Sequence, residues 1–210
     1  MTGLKLEDVV IALKGRELLR LTAQIAPGEI LSVMGQSGSG KSSLLAYVGG
    51  FLDANFQASG KILLNGEELN NQPAHQRHTG ILFQDPLLFP HMSVGENLLF
   101  AIPATITGAS RRQLAEDSLG QAGLEGFFDR DPATLSGGQK ARVALMRVLV
   151  SQPRALLLDE PFSKLDAGRR DQIRRFVFEE AKRQDLPILL VTHDRADAEA
   201  AGGKIVDLDQ

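Results

Sequence analysis

The chain has no cysteine. That excludes disulfides, iron–sulfur clusters and cysteine-ligated zinc, and it suits a reducing cytosol without requiring one. An excess of positive charge is also missing, since 23 Lys and Arg against 26 Asp and Glu leave a formal net charge of −3. A nucleic-acid-binding domain would normally carry a basic footprint, so nucleic acid is not an expected partner. The one basic run, GRRDQIRRF at 168–176, reads as a solvated helix face, because Glu179 and Glu180 follow and Arg175 stands four residues before Glu179. Long apolar runs are lacking too: VALMRVLV (143–150) contains Arg147, and NLLFAIPATI (97–106) is short and holds a proline. Neither reaches the length of a membrane span, so the chain is not expected to be membrane-embedded by itself. Glu7 and Asp8 stand where a secretory peptide would need an apolar core.

What is present is a globular composition, 43% apolar and 23% charged over 210 residues, enough for one good-sized core with a smaller appended subdomain. Apolar runs resembling buried strands recur at EILSVMG (29–35), GILFQ (80–84), ALLLDE (155–160) and ILLVTH (188–193), with helix-period stretches between them. This predicts an α/β fold with a mainly parallel sheet. The segments LKLEDVVIAL (4–13), ELLRLTAQI (17–25) and GKILLNGEEL (60–69) alternate more cleanly and predict an antiparallel sheet beside it. Between Gln84 and Leu135 the strand signals vanish, and SVGENLLFAI and SRRQLAEDSLGQAG read as helices. Residues 86–134 are thus expected to be a helical insertion, with 1–85 and 135–210 forming the core.

GQSGSGKSS, directly after the strand at 30–34, fits the phosphate-loop pattern G-x-x-x-x-G-K-[ST] from Gly35 to Ser42. Gly35, Gln36, Ser37, Gly38, Ser39, Gly40, Lys41, Ser42 and Ser43 are therefore candidate nucleotide ligands. Consecutive N–H groups would wrap phosphate oxygens, Lys41 would neutralise the β and γ charges, and the Ser42 hydroxyl would ligate Mg²⁺. ALLLDE delivers Asp159 and Glu160 to the carboxyl end of a strand, where open α/β sheets keep their ligands. Asp159 is assigned to the Mg²⁺ shell and Glu160 to orienting and deprotonating the attacking water. Gln84 and His193 also follow strands; convergence would let Gln84 reach the metal or water and His193 the γ-phosphate. His75, His78 and His91 have no further ligand at helpful spacing, and surface loops suffice to explain them.

ATLSGGQKAR (133–142) poses a separate question, since Ser136 and Gln139 form a capping-box pattern around two bare glycines, Gly137 and Gly138. An anion could approach such a helix start closely, yet no lysine stands in the glycine turn to balance it. A phosphate loop, Gln84 before a helical insertion, LSGGQ, LLLDEP, SKLD and a strand-ending TH occur here in the order found in ATP-binding subunits of ABC transporters, and the chain resembles that family over nearly its whole length. LFQDPLLFPHMSVGENL resembles the importer branch serving small solutes such as thiamine, sulfate or iron(III), and the full run is most similar to its YnjD-type members.

The resemblance implies a P-loop ATPase core that hydrolyses ATP with Mg²⁺ bound through Ser42, Gln84 and Asp159. It also implies a head-to-tail dimer in which Ser136, Gly137, Gly138 and Gln139 of one copy hold the γ-phosphate anchored by the other, with Asp166 at the same seam. The implied partners are a second copy, integral membrane permease subunits and a solute-binding protein, with the chain in the cytoplasm against the inner face of the membrane. An exporter ATPase would share every catalytic residue, and a non-transport ABC ATPase is the remaining alternative. There are three departures from the family pattern. VIALKGREL (10–18) has no adenine-stacking aromatic, so apolar contact near Leu13 is expected instead; Lys164 stands where a small residue is common; and with KIVDLDQ at the end of the sequence, control by an attached sensor domain is not expected.

Overall fold

The computed structural model describes residues 3–165 and 167–208. They fall into two compact units, one of residues up to 81, 154–160 and from 178 onward, the other of residues 82–153 and 161–177.

The first unit opens with β1 (Leu4–Leu13) and β2 (Arg16–Ile25). Lys14 and Gly15 join them at φ +51° and +78°, the paired positive values of a tight hairpin turn that Gly15 adopts at no steric cost. β3 (Ile30–Met34) follows, then α1 (Lys41–Gly49), β4 (Phe56–Leu64), the short β5 (Glu67–Glu68) and β6 (Thr79–Leu82). β7 (Ala155–Asp159), β8 (Ile188–Thr192) and β9 (Lys204–Asp207) complete the strands. One sheet is antiparallel in the order β2-β1-β4-β5, and the other has the order β6-β7-β8-β3-β9, with β7, β8, β3 and β9 paired in parallel. Leu44, Leu45 and Val48 of α1 share one buried cluster with Leu6 and Ile11 of β1 and with Val33, Leu157 and Leu189 of the parallel sheet. The register sets Met34 opposite Thr192 and Asp159 opposite Val191, so β3, β7 and β8 end side by side.

In the second unit α2 (Val94–Ala101), α3 (Gly108–Gln121) and α4 (Gly137–Val150) pack on one another. Buried Asn97 and half-buried Arg147 organise the 86–92 loop. The Asn97 amide bonds Phe89 N–H and the carbonyls of Phe89, Met92 and Ser93, while the Arg147 guanidinium donates to the Pro86 and Leu87 carbonyls at 3.1 and 2.9 Å. Leu87 and Phe100 remain exposed, at 57% and 65%.

Two features differ from the sequence expectations. KIVDLDQ contributes the edge strand β9, whose Lys204 and Ile205 are exposed and so gave no buried-strand signal. Arg174, expected on a solvated face of α5 (Ala167–Arg183), is only 6% exposed and pairs with Asp171 at 2.8 Å; the stem of the side chain is buried while its head finds an acid three residues back.

Candidate functional site

The five residues of β3 are all buried, and the chain leaves the sheet at Gly35 to form a loop that closes on α1. Gly40 caps that helix at φ +89°, a conformation that favours glycine, and a Cβ there would crowd Leu18 and Leu19 at 3.1 Å. Lys41, 5% exposed, turns its ammonium back into the loop, donating to the Gly35 and Gln36 carbonyls at 2.7 Å each. The first turn of α1 carries no acid, so its helix dipole favours an anion.

Ser42 Oγ donates to Asp159 Oδ1 at 3.0 Å. Burial pushes the Asp159 carboxyl above the ordinary carboxylate range, the Ser42 hydrogen bond and Lys41 acting against it and Glu160 with it. Glu160, at φ +45°, sits in a left-handed conformation rare for a residue with a side chain, while its N–H donates to the Val191 carbonyl at 3.0 Å. The chain therefore turns sharply off β7 without leaving the sheet edge. His193 Nδ1 lies 2.9 Å from Glu160 Oε2, and since a carboxylate only accepts, the ring nitrogen donates. Thr192 and Asp194 flank the histidine. Thr192 Oγ1 bonds buried Asp197, and Asp194 caps α6 (Arg195–Ala201) through the Ala196 N–H. A cavity of about 250 Å³ is bounded by Ser37, Gly38, Lys41, Ser42, Ser43 and Glu160, with Leu13, Leu18 and Phe56 also lining it; Asp159 and His193 stand next to it through Ser42 and Glu160. A larger one, about 480 Å³, lies where β3 begins, beside Glu29, Lys182 and Lys204, and contains none of the candidate residues.

Residues 18–163 match the ABC transporter family. The chain belongs to that family. It is 48% identical over 197 residues to the ABC transporter ATP-binding protein YnjD of Escherichia coli strain K12, covering 94% of this chain and 90% of that protein. It is 39% identical over 187 residues to the Fe(3+) ions import ATP-binding protein FbpC of Agrobacterium fabrum and 37% identical over 187 to the spermidine/putrescine import ATP-binding protein PotA of Bacillus cereus. Those matches cover 89% of this chain but 52% and 56% of the relatives, so the chain spans about half the length of these two import proteins.

As an ATP-binding member of the ABC transporter family, the protein is an ATP hydrolase. Its residues fit a triphosphate with a divalent cation: a buried ammonium, a helix start without acids, and a hydroxyl and a carboxylate in contact, both hard oxygen donors.

The first unit thus brings together Lys41, Ser42, Asp159, Glu160 and His193. In the second, Gln84 stands exposed two residues beyond β6 and lines a cavity of about 200 Å³ with Gly137, Lys140, Lys164 and Leu165. The capping box of α4 forms in both directions: Ser136 N–H donates to Gln139 Oε1 at 2.9 Å, and Gln139 N–H to Ser136 Oγ at 3.4 Å. A Cβ at Gly137 would meet its nearest neighbour, Leu165, at 4.0 Å, and one at Gly138 would meet Ile173 at 3.6 Å, both ordinary contacts. Lys164 pairs with Asp85. Asp166 lies outside the described residues.

Two groups escaped sequence reasoning. Asp194 and Asp197, which fix the turn carrying His193, were legible in part, since an Asp before an Ala-rich helical run is an N-cap signal. Phe56 left no signal, because its place depends on the pairing of β1 with β4.

Proposed function

We propose that the protein powers import of a small solute through separate membrane permease subunits, working at the inner face of the cell membrane as a head-to-tail dimer. The observation that carries this reading is the cluster of Lys41, Ser42, Asp159, Glu160 and His193 at one sheet edge, with LSGGQ displayed in the other unit. Import is favoured by the similarity to FbpC and PotA, both named as import ATP-binding proteins.

In this reading the loop amides of residues 37–42 and Lys41 hold the β- and γ-phosphates, and Ser42, Asp159 and Gln84 hold Mg²⁺. The cation, when bound, offsets charge on the phosphate oxygens. Glu160 accepts the proton of the attacking water, and His193, steadied by its Nδ1–H bond to Glu160, presents its other nitrogen toward the γ-phosphate. Ser136, Gly137, Gly138 and Gln139 face the nucleotide anchored by the second copy, with Asp166 beside them, so the missing counter-charge is supplied in trans. The helical insertion, 86–134, carries the movement to the permease, and the 86–92 loop with exposed Leu87 and Phe100 is its docking surface. A separate solute-binding protein supplies the cargo.

The test is reconstitution with the membrane proteins that co-purify with this subunit. Vesicles with the ATP-binding face inward and ATP enclosed should accumulate solute, and Glu160→Gln should stop accumulation while ATP still binds. Efflux instead of uptake would reverse the proposed direction, and unaltered turnover in Glu160→Gln would remove that residue from the chemistry.

A further inference from the structure

Resting on the nucleotide reading of the cavity beside Lys41, we propose that Phe56 is the aromatic platform on which the base stacks. The residues ahead of the phosphate loop, VIALKGREL, offer no ring, yet the fold brings one in from a different strand. Phe56 is the first residue of β4 and pairs directly with Leu13, the last residue of β1. Opposed residues on antiparallel neighbours point to the same face, so the ring and Leu13 stand side by side, with Leu18 of β2 lining the same cavity.

The turn before β4 fixes the ring's position. Asp53 Oδ1 accepts from the Asn55 N–H at 2.8 Å and from its side-chain amide at 2.7 Å, and the Asp53 carbonyl accepts from the Phe56 N–H at 3.0 Å. Phe56 is half-buried, with part of its surface against the core and part on the cavity.

The lining residues are divided by chemistry. Lys41, Ser42, Ser43 and Glu160 supply charge and hydroxyls, whereas Leu13, Leu18 and Phe56 supply only apolar surface. A nucleoside triphosphate has the same division, with a charged tail and a flat base whose faces are poorly hydrated. Among the described lining residues Phe56 is the sole aromatic, and stacking on one ring is worth enough to matter in base binding.

Binding of ATP and of inorganic tripolyphosphate separates base from phosphate recognition. Phe56→Ala and Phe56→Leu should each weaken ATP by about tenfold while leaving tripolyphosphate affinity unchanged. The leucine variant keeps apolar volume against the core, so a fold defect in the alanine variant does not decide the result. Because the chain has no tryptophan, Phe56→Trp introduces a single one; its fluorescence should be quenched by ATP and not by tripolyphosphate, with ATP affinity retained. Wild-type ATP affinity in Phe56→Leu, or an equal loss for both ligands, would overturn the assignment while leaving the loop's triphosphate role standing. Wild-type protein that binds neither ligand would overturn both.

Discussion

Asp159 carries opposing demands in one side chain. It is partly withdrawn from water, which favours the protonated form, yet the cation-binding role proposed for it requires the ionised form. Its folded pKa lies above the ordinary value, so the folded state holds the proton more tightly than the unfolded chain. Well below the ordinary carboxylate range both states are protonated and the group is neutral to stability. As pH rises through that range ionisation begins to cost the folded state, and the cost is complete above the raised value. Asp159→Asn keeps the acceptor for Ser42 and removes this cost. Thermal melts should show a higher melting temperature at neutral pH, the gain vanishing in strong acid, with Mg²⁺-dependent ATP hydrolysis abolished. A lower melting temperature at neutral pH would mean that Asp159 stabilises the fold. Glu160 carries a comparable burden in its backbone, since φ +45° typically costs a residue with a side chain on the order of 1–3 kcal/mol. The distortion is held by the Val191 carbonyl and places the carboxylate against His193.

At the scale of elements, the first turn of α4 has glycines that its own surroundings do not require. Each Gly costs a helix roughly 1 kcal/mol relative to Ala, and neither Gly137 nor Gly138 has a neighbour that a methyl group would strike. Gly137→Ala and Gly138→Ala should therefore leave the fold as stable or gain about 0.4–1 kcal/mol, while on the proposed dimer ATP hydrolysis is lost because a phosphate anchored by the second copy could no longer approach. Thermal melts paired with steady-state ATPase assays check this; loss of stability would give the glycines an internal packing role instead. Two other helices end on arginines. Buried Arg77 donates to the Tyr47 and Val48 carbonyls at the end of α1, and Arg111 to the Leu99 and Ile102 carbonyls at the end of α2. The strands β3, β7 and β8 were legible because a parallel sheet buries both faces and writes itself as an unbroken apolar run. β9 was not, since an edge strand with exposed residues has no such signature. The arginine caps were hidden for a different reason: they act across 29 or 30 residues at Arg77, a separation on which local periodicity is silent.

For the whole molecule the decisive proposal is the exchange of half-sites between two copies. Ser136→Arg and Lys41→Ala proteins should each be inactive alone. Mixed, they should recover ATPase activity up to one working site per mixed dimer, since only one of its two composite sites is intact. A mixture as inactive as its components, or one at the full wild-type rate, would count against the arrangement. The proximity of Asp159, Glu160 and His193 was readable because they follow strands that end at one edge, so order along the chain stood in for nearness. The Phe56 position was not readable, because it is fixed by which residue of β4 falls opposite Leu13. The grip of Asn97 and Arg147 on the 86–92 loop has a consequence for descent within the family. Every hydrogen bond they make to that loop ends on a main-chain atom, and only Phe89 meets Arg147 through its ring, so exposed Leu87 can be rewritten by mutation without breaking those bonds. On the proposed docking role, a lineage acquiring a new permease could retune this face residue by residue and leave the engine intact.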